Sequence, residues 1–285
     1  MSATRYDEVC EGSAAAVIRR YSSSFGLASR LLGQPVRTQV CNVYALVRVA
    51  DEIVDSPDPA LSADQRAAIL TALHEDVRQA LRSGYSANLV VHAFARTAAA
   101  CGIGPELIDP FFHSMRMDLD VTVHTRESFD RYVYGSAEVV GLMCLRVFLA
   151  ERPSPERDGE YDRLSAGARR LGAGFQKLNF LRDLAEDHDT LHRSYFPGLD
   201  LARFTDADRD RLLDDVDADL AAAAAVIGEL PASSRRAVRV AHALFAELAG
   251  RLRATPAARI RRTRVRVPDP VKLRLVLGAL CGSRG

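Results

Sequence analysis

The run Tyr44-Ala45-Leu46-Val47-Arg48-Val49-Ala50-Asp51-Glu52-Ile53-Val54-Asp55 decides the fold. Tyr44, Arg48, Asp51 and Asp55 step by four, three and four, the spacing of one α-helical face. The residues between and before them (Val43, Ala45, Leu46, Val47, Val49, Ala50, Ile53, Val54) are apolar, so the helix is expected to be mostly buried. Side chains at i and i+4 have Cβ atoms about 5–6 Å apart. Asp51 and Asp55 can therefore hold one divalent ion between them. Unpaired carboxylates in so apolar a helix are costly, and something cationic must compensate.

Outward from this run the apolar period stays near 3.6, and β-branched runs with period-two alternation are scarce. The pattern predicts helices over 10–32, 37–55, 62–82, 87–101, 105–117, 127–150, 157–188, 205–228, 232–254 and 268–281. Breaks are expected at Gly33-Gln34-Pro35, Ser56-Pro57-Asp58-Pro59, Gly84, Gly102–Pro105, Arg152–Pro155 and Phe196-Pro197-Gly198. Ser62-Ala63-Asp64-Gln65 has the form of a capping box. No internal repeat and no long linker stands out, so the expected fold class is all-α, one helical bundle over 1–285.

A second acidic run follows at Gln176-Lys177-Leu178-Asn179-Phe180-Leu181-Arg182-Asp183-Leu184-Ala185-Glu186-Asp187. Helical spacing puts Gln176, Asn179, Asp183 and Asp187 along one face. Hard oxygen donors without His or Cys favour Mg²⁺ over zinc, and Mg²⁺ keeps positions open for water and substrate phosphate. If the two acidic helices face each other they form a diphosphate clamp, with Arg48 and Arg182 placed to take phosphate oxygens.

Composition excludes several other classes. Hydrophobic residues make up 48% and charged residues 26%, with a formal net charge of +1. No global field recruits nucleic acid, and the basic segment Arg253–Arg274 has no interleaved aromatics. The five cysteines Cys10, Cys41, Cys101, Cys144 and Cys281 form no CxxC pair. A disulfide framework or zinc site is not expected, and a reducing cytosol fits. Met1–Arg20 lacks the apolar core of a signal peptide. No stretch of about 18 uncharged apolar residues predicts a membrane span.

Taken together, these motifs resemble the squalene/phytoene synthase family. Ser24-Phe25 with the Tyr44–Asp55 run resembles its first signature, and Gln176–Asp187 its second. Between them stand Met117-Asp118-Leu119 and Tyr132-Val133-Tyr134-Gly135, then Val140-Gly141-Leu142-Met143. Arg193-Ser194-Tyr195-Phe196-Pro197 follows, with a weaker likeness near Arg264–Leu275. The resemblance implies an all-α isoprenoid-synthase bundle with a central cavity. It implies Mg²⁺–diphosphate binding by Asp51, Asp55, Asn179, Asp183 and Asp187, with Mn²⁺ as a substitute. It also implies substrate or catalytic contacts from Phe25, Tyr44, Arg48, Tyr132, Gln176, Arg182, Arg193 and Tyr195. The implied reaction joins two prenyl diphosphates head to head through a cyclopropylcarbinyl diphosphate.

Three positions depart from the family pattern. Tyr21-Ser22-Ser23 precedes Ser24-Phe25 where a basic residue is usual. Glu138 stands where Gly is usual, and is expected either to intrude on the cavity or to face away. The loop Asp187–Tyr195 is one residue longer, with His192 near the usual Gly-Arg position. Small residues at Gly26 and Ser29 favour two geranylgeranyl diphosphates and phytoene over farnesyl diphosphate and squalene or dehydrosqualene. No strand–GxGxxG–helix unit is present; the family's squalene synthases need none, so this decides little, and the reading leans to no nicotinamide without excluding NADPH. A class I terpene cyclase ionises one substrate without coupling, and only products separate it from a coupling enzyme. The intact acidic pairs argue against a third class, a non-catalytic relative. The eight basic residues of Arg253–Arg274 can contact diphosphate, an anionic bilayer or plain solvent, and with the amphipathic Val271–Leu280 beside them and a hydrocarbon product, loose association with a membrane surface is one expectation.

Overall fold

Polar caps set where the helices begin. The computed structural model describes residues 4–22, 24–58, 60–185 and 193–281. Thr4 caps α1 (Arg5–Tyr21) in a capping box with Asp7, and Ser62 caps α4 (Ala63–Ser83) in a box with Gln65. Between them lie α2 (Ser24–Ser29) and α3 (Val36–Val54), which carries the first acidic run. Next come α5 (Leu89–Cys101), capped by Asn88, and α6 (Pro105–Asp120), which opens on proline. A continuous rod follows: α7 (Arg126–Val133), a π-turn over Tyr134–Glu138 and α8 (Val139–Leu149). Then α9 (Ser154–Arg182) carries the second acidic run. The chain closes with α10 (Asp206–Ile227), α11 (Ala232–Arg253), the short α12 (Ala257–Ile260) and α13 (Asp269–Cys281). The fold is all-α. Among the described residues the sole β pairing is an isolated bridge between Val123 and Ser194.

Two boundaries differ from the sequence reading in ways that matter. The helix expected over 10–32 begins earlier and stops at Tyr21, because Ser22 takes an extended conformation and its backbone N–H closes α1. Serine side chains compete with the helix for backbone groups. The helix expected over 157–188 has its regular ladder end at Arg182, with Asp183 at the C-cap. Asp55 likewise caps α3, its N–H bonded to the Asp51 carbonyl at 2.9 Å. Each acidic run therefore places one carboxylate at a helix end, where the backbone turns away from the helical row.

The helices bury two main cores. One joins α3 to α6 and α8 through Leu46, Phe94, Phe111, Phe112 and Met143. The other joins α7 to α9, α10 and α11 through Tyr132, Leu178, Leu181, Leu213 and Leu248. The rod and α9 cross in close contact between them. A Cβ on Gly141 would come within 2.5 Å of the Ala168 carbonyl, and one on Gly172 would strike the Ala137 carbonyl. By length and composition the helical run Arg126–Leu149 could cross a membrane, which the sequence reading did not anticipate. Its most apolar window is 56% buried inside the bundle, so packing accounts for its composition.

A buried ion network fastens α9 to α10. Lys177 Nζ reaches Asp219 at 2.8 Å and Asp215 at 2.5 Å, and Arg170 reaches the same Asp219, which is fully buried. Lys177 sits inside the second acidic run yet points into this network. It thereby fixes the rotation of α9 that turns Gln176 and Asn179 the other way.

Candidate active site

A cavity of about 580 Å³ opens where α3 and α9 meet. Tyr44, Arg48 and Asp51 line it from α3, and Gln176, Asn179, Arg182 and Asp183 line it from α9. Its deep end is apolar, walled by Leu145, Phe148, Leu164, Ile227 and Leu230. The side chain of Phe25, the whole of Asp187 and His192 lie outside the described residues and side chains.

Asp51 faces the cavity with no hydrogen bond or ion pair to its carboxylate among the described residues. Burial first, then the neighbouring charge of Asp55, pushes its pKa up to about 8, against a smaller opposing pull from Arg48. An ionised Asp51 has only Arg48, itself paired with Glu52, as a nearby counter-charge. Asp55 turns instead to Arg193, whose Nη1 donates to its Oδ1 at 2.6 Å. Asp183 is held by two guanidinium groups: Arg182 (Nε–Oδ1 2.9 Å) and Arg264 (Nε–Oδ1 2.8 Å, Nη2–Oδ2 3.2 Å). Arg48 pairs with Glu52 on its own helix and stacks 4.6 Å above the Tyr21 ring.

With the acids held this way, no group of three or more His, Cys, Asp or Glu side chains gathers among the described residues. The residues nonetheless fit a magnesium ion. Asp51, Asp55, Asn179 and Asp183 offer only hard oxygen donors. The Asp51 carboxylate accepts no hydrogen bond among the described residues, and Asp55 and Asp183 are paired with arginines.

Behind Asp55 lies a second hub. Asp118 on α6 is buried and accepts from Tyr132 Oη at 2.8 Å and Tyr195 Oη at 3.0 Å, with Arg193 Nη1 at 3.6 Å. Burial lifts its pKa to about 6, against the lowering pull of Arg193. Burial and the same carboxyl raise the Tyr132 hydroxyl well above its ordinary value, so the phenol stays protonated. The Val123–Ser194 bridge holds this corner: His124 N–H donates to Ser194 O at 3.3 Å, and Ser194 N–H to Thr122 O at 2.8 Å. Arg193 and Tyr195 flank Ser194, and the bridge sets Arg193 against the end of α3 and Tyr195 against Asp118.

Sequence reading assigned no role to Asp118, although Met117-Asp118-Leu119 carried the signal of an acid on an apolar face. It weighed Arg264 only within a basic stretch, and nothing local distinguishes that arginine from Arg261 or Arg266. Glu138 faces away from the cavity, paired with Arg169 at 2.6 Å. Gln176 donates weakly to Ser136 Oγ at 3.4 Å, tying α9 to the π-turn. Ser29 lines the cavity, whereas Gly26 lines a neighbouring hollow.

A family model for squalene/phytoene synthase matches residues 18–270. The chain belongs to the squalene/phytoene synthase family. Members of this family are prenyltransferase-type enzymes that act on prenyl diphosphates. Among relatives, the chain is 29% identical over 177 residues to presqualene diphosphate synthase of Rhodopseudomonas palustris, covering 61% of this chain and 58% of that protein. It is 32% identical over 190 residues to 15-cis-phytoene synthase of Enterobacter agglomerans, covering 64% and 60%. The chain thus spans under two thirds of these relatives' lengths. The fold matches that of a dehydrosqualene synthase crystallised with ligand, with a TM-score of 0.80 at 21% identity, over 97% of each chain. Like other chains of the squalene/phytoene synthase fold, this one is all-α.

Proposed function

We propose that this chain condenses two prenyl diphosphates head to head through a cyclopropylcarbinyl diphosphate, with geranylgeranyl diphosphate as substrate and phytoene as product. One observation carries the reading. Asp51 and Asp183, 132 positions apart by their numbers, line the polar end of a single cavity whose other end is apolar.

Magnesium at Asp51, Asp55, Asn179 and Asp183 would supply the charge that a departing diphosphate needs. The protein's own groups do the rest. Arg48 and Arg182 line the same end of the cavity and take diphosphate oxygens. Arg193 and Arg264, which neutralise Asp55 and Asp183, can exchange those carboxylates for phosphate. Gln176 and Asn179 orient the head group. The apolar walls keep water from the allylic cation. Tyr44 lines that wall and offers a ring face to positive charge. Tyr132 and Tyr195 are fixed by Asp118 and present theirs from the adjoining corner. Two C20 diphosphates give one C40 hydrocarbon, two diphosphates and two protons, one lost as the cyclopropane closes and one in the final step, with no reductant consumed.

Small side chains around the cavity support a long substrate. Ser29, Gly141, Ala168, Gly172, Ala237 and Ala241 all line it. A second reading, with farnesyl diphosphate as substrate, is favoured by the likeness to presqualene diphosphate synthase. One assay separates them: the purified chain with Mg²⁺ and each prenyl diphosphate, with and without NADPH, followed by mass analysis of the extract. A C40 hydrocarbon independent of NADPH supports the proposal. Turnover of farnesyl but not geranylgeranyl diphosphate moves the assignment to C30 chemistry. A monomeric C15 or C20 hydrocarbon makes the chain a cyclase.

A further inference from the structure

Beside the reaction cavity lies a second hollow, of about 880 Å³, between α1, α2, the start of α3 and α13. Ser22 and Ser29 line both, so the two abut at α2. Ile18, Leu27 and Leu273 make its walls apolar, and Arg19, Arg30 and Arg37 stand on it. These three arginines are exposed, and none has an ion pair among the described residues. Lys272 adds a fourth cation but is matched by Asp269 at 3.0 Å, which leaves Glu11 as the remaining acid of the lining.

The helix α13 borders this hollow and is two-sided. Val276 is buried against Ala28, Val240, Ala241 and Leu244, which anchors the helix. Leu273 and Leu277, four residues apart and so on one face, are 58% and 51% exposed. A single exposed leucine needs no explanation. Two on one face, beside a greasy groove bordered by unpaired arginines, form a surface with the chemistry of a bilayer contact: apolar groups to enter the acyl boundary and guanidinium groups to meet phosphates. The net charge of the whole chain is only +1, so this is a local concentration of positive charge.

We propose that this face docks the protein on an anionic phospholipid bilayer, with α13 lying in the interface and Arg19, Arg30 and Arg37 on the head groups. The surface joins α13, within the segment singled out from the sequence, to Arg19, Arg30 and Arg37 from the N-terminal part of the chain, while Arg253 is taken up by Asp214 and Asp217 and Arg264 by Asp183. Docking stands on this surface alone. Only its use, delivering an apolar product next to the lipid, rests on the proposed reaction.

The test is co-sedimentation of the full chain with vesicles of phosphatidylcholine alone or mixed with phosphatidylglycerol. The chain is expected to pellet with the mixed vesicles, to stay largely in solution with the neutral ones, and to be released by salt. Arg30→Ala with Arg37→Ala should weaken binding by about fivefold for each arginine removed. Leu273→Ser with Leu277→Ser should weaken it by about tenfold or more. Both pairs lie on the surface and should leave thermal unfolding and turnover in detergent unchanged. Failure of the wild type to pellet, equal pelleting with neutral vesicles, or unweakened binding by both variants overturns the proposal. Turnover in detergent is scored separately, so an inactive chain that still binds vesicles would refute the reaction and leave the docking intact.

Discussion

At Asp51 a carboxyl group withdrawn from water beside the charge of Asp55 accepts no hydrogen bond among the described residues, and its pKa is raised to about 8. An unfolded aspartate titrates near ~3.9. The folded state therefore holds this proton more tightly than the unfolded one, and stability falls as pH rises from about 4 to about 8. In chelator, Asp51→Asn should unfold at a higher temperature than the wild type at pH 8, by roughly 2–4 °C for each kcal/mol recovered. Near pH 4 the two should coincide. Added Mg²⁺ should raise the wild-type midpoint at pH 8 and leave that of Asp51→Asn nearly unmoved, as read by calorimetry. Catalysis moves the opposite way. Asp51→Asn or Asp183→Asn should lower diphosphate release by about 10²–10³ or more, and near-normal turnover in both would refute their assigned role. Calorimetry and diphosphate release thus report one carboxylate's stability cost and its use.

Between elements, contact distance is set by residues that have no side chain to offer. Gly141 on α8 meets α9 at the Ala168 carbonyl, a backbone atom that cannot rotate aside. Gly141→Ala should cost about 1–3 kcal/mol through overpacking, seen as a lower unfolding midpoint. It should also reduce activity, because the shifted α9 carries Gln176 and Asn179 with it. The α9–α10 seam rests on a buried acid. Asp219→Ala leaves Lys177 with Asp215 alone, and breaking such a pair from one side costs about 3–5 kcal/mol. The lower end applies here, since half of the lysine's partners remain; urea unfolding measures it. Element boundaries were legible where a cap writes them, as at Ser62-Gln65. They were not legible at Tyr21, where Ser22 takes an extended conformation although the apolar period of the sequence runs on.

Over the whole molecule, helices distant in sequence enclose one cavity, and its free length sets which chain fits. Ser29 lines the wall of that cavity with a hydroxyl turned back to the Gly26 carbonyl at 2.9 Å. Ser29→Phe should fill that part of the hollow and shift the ratio of geranylgeranyl to farnesyl turnover by about tenfold or more against the longer chain. Competition between the two substrates in one tube measures the ratio directly. An unchanged ratio would show that chain length is set elsewhere, at the Leu164–Leu230 end.

The sequence by itself determined the all-α class, the placing of Tyr44, Arg48 and Asp51 on one side of their helix and of Gln176 and Asn179 on one side of theirs, and the order of motifs that marks the family. These are local properties, because a 3.6-residue period and a four-residue step are set by backbone geometry alone. Only the tertiary structure decided that the two acidic helices share one cavity. Only it brought Arg193 to Asp55 across 138 residues and Arg264 to Asp183 across 81. It also made Asp118 the common acceptor of Tyr132 and Tyr195. Which faces meet depends on the packing of all the helices together, where close contacts such as Gly141 on Ala168 and buried charges such as Asp219 fix rotation and distance. No window of sequence contains that sum.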